Sequence, residues 1–356
     1  MTDTLLVSAL EDSTGKTAVT LALAQIAADD GRTVGYMKPK GTRLRSQVGK
    51  VLDRDPVLAQ DLLGIDAAIE EMEPIVYSSM FLEGAVRGQE DRETLRKQVR
   101  KEFDGLAADT DRMFVEGTRY TTGEIVGLAD PDLASLLDAS VLLVVTYDGL
   151  TQLDAVLTAA DAFGDRLVGV LFNRVSDTQL ESLQQDVIPF LESRGVPVVG
   201  ALPEERELAG VPVSELASEL GGELLCDPET DPLVERFHIG AMGGEEALRV
   251  FRRSRNAAVI TGGDRADVQR AAIEAPGVTC LVVTGGHRPS PAILGEAAEA
   301  GLSVLAVDTD TLTTVERTEA VIQGGQTQDE ETVGLMVTLL REYVDIDGIL
   351  AGEGEE

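Results

Sequence analysis

The chain has 356 residues, with 63 acidic against 30 basic side chains and a formal net charge of −33 at pH 7. A surface this negative repels phosphate backbones and anionic lipids, which excludes nonspecific binding to nucleic acid or to a membrane surface. The length suffices for roughly two domains. An acid excess with little lysine is typical of proteins from salt-rich cytoplasm, where screening relieves the repulsion between like charges, so we expect a halophilic protein.

The sequence shows no sign of export or of a membrane anchor. It lacks a basic leader with an apolar core, and no apolar run approaches the roughly 20 residues that span a bilayer. We therefore expect a cytoplasmic protein. Cys226 and Cys280 lie in apolar segments without clustered histidine or cysteine partners, so we expect them to be core residues and not zinc ligands.

The first predicted strand, Leu5-Leu6-Val7, runs into a loop that ends in Gly-Lys-Thr and continues as an amphipathic helix. Strand, loop and helix N-terminus in this order predict a phosphate-binding loop (P-loop), in which loop amides and the helix dipole face the anion. The lysine reaches the outer phosphates, and the threonine hydroxyl can bind Mg²⁺. Leu10 stands where such loops usually have a glycine, so an ordinary strand-loop-helix corner is the alternative. The predicted nucleotide ligands in this loop are Ser13, Thr14, Gly15, Lys16 and Thr17.

Short apolar, β-branched segments alternate with helical patterns through residues 1–209. This alternation is typical of a mostly parallel sheet with helices on both faces, the α/β architecture of P-loop NTPases. Ligands of such sheets bind beyond the carboxyl ends of the strands. The predicted strands are residues 5–8, 34–37, 113–116, 141–147, 167–173 and 198–202.

Basic side chains cluster after the second predicted strand, in a chain otherwise poor in lysine. Lys38 comes first, followed by Lys40, Arg43, Arg45 and Lys50. These side chains could form an anion-binding rim for a γ-phosphate or a carboxylate substrate, or could simply balance acidic neighbours. We favour a catalytic role, beside that of the P-loop lysine, for Lys38, because it stands at the strand end.

Three acidic residues are candidates for holding a magnesium ion. Asp53 and Asp55 precede a predicted helix, where an aspartate is a common N-cap. Asp55 comes directly before a proline and suits the cap, which leaves Asp53 as the better metal ligand. Glu116 ends a predicted strand, where an acid can coordinate a metal directly or through water, the alternative being a solvated strand end. Together with Thr17, Asp53 and Glu116 are the predicted Mg²⁺ ligands.

Asn173 and Arg174 follow a further predicted strand and fall at the same edge of the predicted sheet. The asparagine could present its amide to the edge of an adenine ring. An asparagine turn is the equally good alternative. We predict Asn173 as a nucleotide ligand.

A charged stretch at residues 203–207 interrupts the pattern, and a second, smaller α/β unit follows. We place a nucleotide-binding domain at 1–209, a ligand-binding domain at 210–325, and a helix with a disordered acidic tail at 326–356. Two glycine turns at strand ends in the second domain arise from duplication or from chance. Glycines there let backbone amides approach an anion. The predicted ligand residues in these turns are Gly262, Gly263, Asp264, Gly285 and Gly286.

Taken in order, the motifs resemble the dethiobiotin synthetase branch of P-loop proteins. The matching positions are Gly15-Lys16-Thr17, Lys38-Pro39, Glu116-Gly117 and Asn173-Arg174. The closest resemblance is to the N-terminal portion of long phosphate acetyltransferases, in which a DRTGG domain follows. Residues 212–323 resemble that domain through order and setting, although the five-letter string is absent. The resemblance implies ATP and Mg²⁺ as cofactors and, as is common in that branch, pairing of two copies across the nucleotide site.

The chain departs from these families at two points. A complete phosphate acetyltransferase carries a further catalytic domain beyond the position of Glu356, so acetyl transfer to phosphate is not expected. A dethiobiotin synthetase has small glycines where this chain has Thr118-Arg119, which disfavours a diamine substrate. The related ATPases that partition DNA carry a second lysine early in the loop, where this chain has Glu11. We therefore do not assign the chain to these DNA-partitioning ATPases.

Two functions follow from these observations. The first is a regulatory or sensor protein that binds ATP and magnesium, hydrolyses ATP slowly if at all, and receives a small ligand or protein partner at its second domain. The second is an ATP-dependent carboxylate-amine ligase, in which Lys16 and Lys38 stabilise charge on the transferring phosphoryl group. A substrate screen distinguishes the two.

Overall fold

The computed structural model describes residues 2–11, 14–41, 44–45, 51–205, 208, 210–228, 230–324 and 330–350. The chain forms two compact units. The first comprises Met1–Glu204 together with Thr327–Glu356, and the second comprises Glu205–Gln326. The C-terminal segment, which the sequence-based division sets apart at residue 326, therefore belongs to the first unit.

Six parallel strands form the central sheet of the first unit. The strands in this part of the chain are β1 (Asp3–Ala9), β2 (Val34–Met37), β3 (Lys40–Gly41), β4 (Leu44–Arg45), β5 (Val51–Leu52), β6 (Ile75–Val76), β7 (Arg112–Arg119), β8 (Ser140–Thr146), β9 (Leu167–Val175) and β10 (Val198–Pro203). Their order in the sheet is β10-β9-β8-β1-β7-β2, which puts β1 and the loop after it near the centre. The predicted parallel sheet is confirmed.

Helices cover both faces of this sheet, as the continuous apolar runs in β1 and β8 require. They are α1 (Lys16–Asp29), α2 (Arg54–Leu63), α3 (Ile69–Met72), α4 (Ser79–Val86), α5 (Arg92–Ala107), α6 (Asp130–Leu137), α7 (Leu153–Phe163), α8 (Asp177–Ser182) and α9 (Ile188–Ser193). Single 3₁₀ turns occupy Glu124–Val126, Leu150–Gln152 and Gly164–Arg166, and a π-helical turn, Leu183–Val187, joins α8 to α9.

The second unit is a smaller α/β sandwich, as predicted. Its strands are β11 (Val211–Pro212), β12 (Glu223–Cys226), β13 (Leu233–Val234), β14 (Arg236–Ile239), β15 (Ala257–Gly262), β16 (Val278–Thr284) and β17 (Ser303–Ala306). Its helices are α10 (Val213–Leu220), α11 (Gly244–Phe251), α12 (Ala266–Glu274), α13 (Pro291–Ala300) and α14 (Thr311–Gly324). The sheet order is β12-β17-β16-β15-β14, with β12 alone antiparallel to its neighbour.

Alternate residues of β15 and β16 face two separate apolar cores in this second unit. Ile260 and Cys280 belong to the core under α10 and α14, and Val259 and Leu281 belong to the core under α11, α12 and α13. This alternation is the period of two expected for a strand that is buried on both faces. Cys280 is fully buried, which raises the pKa of its thiol to about 12, whereas Cys226 is only partly buried.

The C-terminal helices α15 (Glu330–Tyr343) and α16 (Ile346–Leu350) complete the first unit. The helix α15 packs against α1 and β10, and Gly200 of β10 forms an antiparallel bridge with Val344. The buried guanidinium of Arg112 donates hydrogen bonds to the carbonyls of Ile349 and Leu350, at 3.0 and 2.6 Å. The predicted acidic tail, residues 353–356, lies outside the described residues. Among the described helices, none has both the length and the apolar character needed to cross a bilayer.

Candidate functional site

Residues 10, 11, 14 and 15 of the predicted P-loop, between β1 and α1, belong to the described part of the chain. Gly15 adopts a left-handed backbone conformation, with φ 81° and ψ 17°, directly before the first residue of α1. A glycine adopts this conformation without the steric cost that a side chain imposes. The first turn of α1 holds no acidic residue, and among the described residues no side chain caps the first N–H groups of this helix.

Leu10 does not disturb this loop. Its backbone is not in the left-handed region that would demand glycine, and its side chain, 6 % exposed, lies in the apolar core of the first unit. The leucine therefore contributes to packing at the start of the loop. Thr14 is buried, and its hydroxyl has no hydrogen-bond partner within the described ranges. Ser13, the first of the predicted loop ligands, lies outside the described residues.

Glu116, on β7, accepts hydrogen bonds from side chains of both α1 and β2. The Thr17 hydroxyl donates to Glu116 Oε1 at 2.8 Å, and the Tyr36 hydroxyl donates to Oε2 at 2.7 Å. Glu116 is 2 % exposed, and burial together with the nearby charge of Asp55 raises its pKa to about 7, against the opposing effect of Lys38 and Lys16. The carboxylate is thus held by two hydroxyl groups at the edge of the sheet.

Lys38 lies among three carboxylates. Its ammonium is 2.8 Å from Asp53 Oδ2 and 3.9 Å from Glu116 Oε1, and it forms a closer ion pair with Asp55. Burial lowers the pKa of Lys38, but the three acids outweigh this and hold the pKa well above its usual value, so the side chain is a cation. Sequence reasoning assigned the helix cap to Asp55, and this is wrong: the Asp53 carboxylate accepts from Asp55 N and caps α2.

Lys40 is not part of an exposed anion-binding rim. It is 1 % exposed, and its ammonium lies 2.9 Å from Asp130 Oδ1 and donates to the Thr122 carbonyl. Asp130 also accepts from the Ser8 hydroxyl and the Thr118 N–H, at 2.7 and 2.9 Å. A buried lysine with a matched carboxylate is structural, so the alternative of charge balance holds for Lys40. Arg43, the Arg45 side chain and Lys50 lie outside the described residues.

Sequence reasoning missed both Tyr36 and Asp130. Tyr36 lies on β2 and Lys38 comes directly after the strand end, two residues later, so the period of two predicts both side chains on one face. The spacing of Tyr36 and Lys38 was therefore a signal from which the position of Tyr36 could have been predicted. In the sequence, Asp130 looks like an ordinary acidic residue that precedes a proline in the first turn of a helix. Its hydrogen-bond partners come from segments that are distant in the sequence. Gly117 contributes to this arrangement, because a Cβ at that position would collide with the Asp130 carboxylate.

Asn173 lies against the P-loop. Its amide Nδ2 donates to the Thr14 carbonyl at 2.8 Å, and its Oδ1 accepts from the Arg174 N–H at 2.9 Å. The side chain is 4 % exposed. Both polar groups of the amide are therefore engaged by the protein, and contact with a nucleotide base stays a prediction.

The two glycine turns of the second unit lie side by side. A Cβ at Gly263 would approach the His287 carbonyl oxygen to 2.5 Å. Gly285 N–H donates to the Thr309 carbonyl and Gly286 N–H to the Val307 carbonyl. These two amides are thus bonded within the protein, and a ligand at Gly285 and Gly286 stays a prediction. A ligand at Gly262, Gly263 and Asp264 stays a prediction.

The described residues offer oxygen donors of the kind that bind a magnesium ion. Thr17 supplies a hydroxyl and Glu116 and Asp53 supply carboxylates, the hard oxygen donors that Mg²⁺ prefers. Among the described residues, no group of three or more His, Cys, Asp or Glu side chains could hold a metal ion by itself. Mg²⁺ is commonly bound by one or two carboxylates together with phosphate oxygens, and this site suits that mode.

Replacing Tyr36 with phenylalanine should destabilise the first unit. The change leaves Glu116 Oε2 without its buried donor, and hydrogen bonds to charged groups contribute about 1.5–3 kcal/mol. Thermal unfolding of Tyr36→Phe beside Tyr147→Phe measures the effect, since Tyr147 is also a tyrosine of the core but its hydroxyl makes no hydrogen bond to the described residues. Equal shifts in the two variants would contradict the assignment.

Comparison with known proteins adds to this geometry. Residues 3–211 match the family model described as AAA domain, and residues 215–321 match that described as DRTGG domain. The phosphate acetyltransferase of Synechocystis sp. is 23 % identical over 98 % of this chain and 52 % of its own length. That of Nitratidesulfovibrio vulgaris is 25 % identical over 82 % of this chain and 42 % of its own. The ATP-dependent dethiobiotin synthetase BioD of Aromatoleum aromaticum is 28 % identical over 58 % and 91 %. The chain spans about half the length of the acetyltransferases.

Proposed function

The chain belongs to the AAA domain family and carries a DRTGG domain after it, and from this premise we propose that the first unit binds ATP together with Mg²⁺. The nucleotide lies at the carboxyl edge of the sheet, where ligands of open parallel sheets bind. The DRTGG domain binds a small ligand or a protein partner. The chain then acts as a regulatory, nucleotide-binding protein.

One observation carries this proposal: the P-loop and Glu116 meet at the N-terminus of α1. No side chain in the described part of the chain caps the first N–H groups of α1, and uncapped groups of this kind bind phosphate. The Thr17 hydroxyl, in the same turn, lies 2.8 Å from the Glu116 carboxylate. A site for an anion and a site for a cation are therefore adjacent, as a magnesium nucleotide requires.

The proposed roles of the residues follow from their chemistry. The amides of Thr14 and Gly15 and the ammonium of Lys16 bind phosphate oxygens. Thr17, Asp53 and Glu116 hold Mg²⁺, which when bound neutralises part of the phosphate charge. Lys38 is a second cation for the outermost phosphate, and to reach it the side chain exchanges Asp53 and Asp55 for the phosphate oxygens.

Isothermal calorimetry with MgATP in high-salt buffer tests the proposal. We expect saturable binding to the wild-type chain and none to Lys16→Ala, because the variant loses the cation of the P-loop. The matched control is Lys101→Ala, which removes an exposed lysine on α5 and should bind as the wild type does. Absence of binding to the wild type would refute the proposal.

A second function, an ATP-dependent carboxylate-amine ligase, is favoured by one specific observation. The match to BioD covers 91 % of that protein, whose name states an ATP-dependent synthetase activity. In this case Lys16 and Lys38 would stabilise charge on the transferring phosphoryl group. Phosphate release from ATP, assayed with a panel of carboxylates and amines, decides between the two. Release that requires both additions favours the ligase, and release indifferent to them favours the regulatory protein.

A further inference from the structure

We propose that the second unit carries a docking surface for an acidic segment of a partner protein. The surface is formed by four arginines that we call the basic patch, namely Arg236, Arg252, Arg253 and Arg255. This inference rests on the partner-binding role proposed for the DRTGG domain and names the kind of partner. It does not depend on nucleotide binding by the first unit.

The basic patch lies at the end of the second sheet where β14 and β15 begin. Arg252, Arg253 and Arg255 stand in the loop that leads from α11 into β15, and Arg236 is the first residue of β14. The two strands are parallel neighbours with Arg236 opposite Ala257, so the register places Arg236 beside the end of that loop. All four arginines are exposed. Four cations are therefore concentrated on one exposed surface.

The loop arginines of the patch are not neutralised by acidic neighbours. Within the described ranges, no carboxylate forms an ion pair with Arg252, Arg253 or Arg255. Elsewhere in the same unit an exposed arginine such as Arg270 has a partner, since it lies 3.6 Å from Glu296. The chain has a net charge of −33, so acidic side chains are abundant. The charge of the patch is therefore left for a partner to neutralise.

The surroundings of the patch are electropositive in spite of Glu235. The Glu235 carboxylate accepts from the Asn256 amide, its side chain is 12 % exposed, and it lies 3.8 Å from the Arg236 guanidinium. The pKa of His238, on the same strand as Arg236, is lowered by burial and by the positive charge of Arg236. A neighbouring group thus experiences Arg236 as a cation.

Stabilisation of the end of α11 does not account for the patch. Cations in the last turn of a helix oppose its dipole, and this effect falls off beyond that turn. Arg249 occupies the last turn of α11 and lies 3.2 Å from Glu246. Arg255 follows the last helical residue, Phe251, by four residues, and Arg236 stands on a strand. These two arginines lie outside the reach of the helix dipole.

The loop presents its arginines on a fixed backbone. The Ser254 hydroxyl is hydrogen-bonded to His238 Nε2, and the Asn256 amide donates to Glu235. A Cβ at Gly277 would overlap the Ser254 carbonyl oxygen, so the glycine lets the neighbouring loop pack directly against this one. A surface that is ordered before binding loses less conformational entropy when a partner binds.

An acidic protein segment fits the patch better than other anions do. Small ligands bind in clefts that enclose most of their surface, whereas the patch is exposed. A DNA duplex carries one charge per about 1.7 Å and extends past the patch onto a chain of net charge −33, which repels it. A short run of aspartate and glutamate ends where the patch ends. Its carboxylates match the forked donors of arginine.

Binding of a labelled oligoglutamate peptide to the full chain tests the inference by fluorescence anisotropy, in the lowest salt at which thermal unfolding shows the chain to be folded. We expect saturable binding to the wild type and binding at least about tenfold weaker to the double variant Arg252→Glu with Arg253→Glu, because attraction becomes repulsion. The matched control is Arg270→Glu with Arg317→Glu, two exposed arginines on α12 and α14. It changes the net charge equally and should bind the peptide as the wild type does.

Four outcomes would overturn the inference. They are no binding of the peptide to the wild type, an equal loss of affinity in the control, tighter binding of a short DNA duplex than of the peptide, and a patch variant that lowers the midpoint of unfolding yet keeps the affinity. The third outcome assigns the patch to nucleic acid, and the fourth assigns its arginines to stability alone.

Calorimetry with MgATP on the same wild-type sample separates this inference from the proposed nucleotide site. A chain that binds the peptide and not MgATP refutes nucleotide binding and leaves the docking surface in place. A chain that binds MgATP and not the peptide refutes the docking surface alone.

Discussion

Deleting residues 327–356 is expected to unfold the first unit under conditions in which the intact chain is folded. The segment carries α15 and α16, which pack on α1 and on the outermost strand β10. The helix α1 is apolar on all sides, and a helix of this kind must be covered all round. Without α15, one side of α1 and the edge of β10 would face water.

The size of the effect follows from the apolar surface that the segment buries. Six of its apolar side chains are buried, namely Val333, Met336, Leu339, Leu340, Ile349 and Leu350. Each contributes about 1.5–3 kcal/mol when fully buried, which gives on the order of 10 kcal/mol in total. The whole stability of a typical domain is about 5–15 kcal/mol, so the loss approaches all of it.

Calorimetric unfolding of a chain that ends at residue 326 measures this loss. We expect the transition of the first unit to be absent, and to return in part when a peptide of residues 327–350 is added. The control is Arg341→Ala in the intact chain, which removes only an exposed ion pair with Asp29 and should cost less than about 1 kcal/mol. A truncated chain that unfolds at the midpoint of the intact one would show that α15 and α16 are dispensable.

The same helices show where sequence reasoning stops. The sequence predicted a helix within residues 326–356, and the structure has one over Glu330–Tyr343. The period says that one face of a helix is buried, and it does not say against what. The partner, α1, lies about three hundred residues earlier in the chain. Arg112, which donates to the carbonyls of Ile349 and Leu350, comes directly before the predicted strand at 113–116, and nothing in its position indicates this role.

The fold could be predicted because local patterns in the sequence indicate its strands and helices. The alternation of apolar strands with helical segments predicted both α/β units, and both are confirmed. The resemblance to dethiobiotin synthetases and to phosphate acetyltransferases with a DRTGG domain is also confirmed by the family matches. The residues of a motif such as Gly15-Lys16-Thr17 are contiguous in the sequence, so the motif alone locates the turn between β1 and α1.

Side-chain partners were harder to predict because they come from distant segments. The sequence placed Glu116 and Lys38 at one edge of the sheet, and the structure brings them together with Asp53 and Thr17. It could not show that Lys38 is bonded to Asp53 and Asp55. Leu10 posed the opposite problem: a missing glycine suggested a defective loop, whereas the leucine side chain simply joins the core.

Replacing Asp130 with alanine should produce a large loss of stability in the first unit. The variant leaves the Lys40 ammonium, 1 % exposed, with the Thr122 carbonyl as its one polar partner among the described residues. Removing one member of a buried ion pair costs about 3–5 kcal/mol, because the remaining charge is buried without compensation. The hydroxyl of Ser8 and the N–H of Thr118 also lose their acceptor, and these residues stand in β1 and β7 beside the P-loop and Glu116.

Thermal unfolding measures this loss of stability, and a second variant serves as the control. For a unit of this size about 2–4 °C is lost per kcal/mol, so Asp130→Ala should lower the midpoint by roughly 6–20 °C. Glu83→Ala, which breaks an exposed ion pair with Arg87, should shift it little.

The double variant Lys40→Met with Asp130→Leu separates the cost of an uncompensated charge from the value of the pair itself. Apolar replacement of a whole buried pair is often close to neutral, so the double variant should regain most of the lost stability. If it is as unstable as Asp130→Ala, the hydrogen bonds to Ser8 and Thr118 carry the loss. Asp130 would then act chiefly by joining the ends of β1 and β7, the two strands that present the P-loop and Glu116.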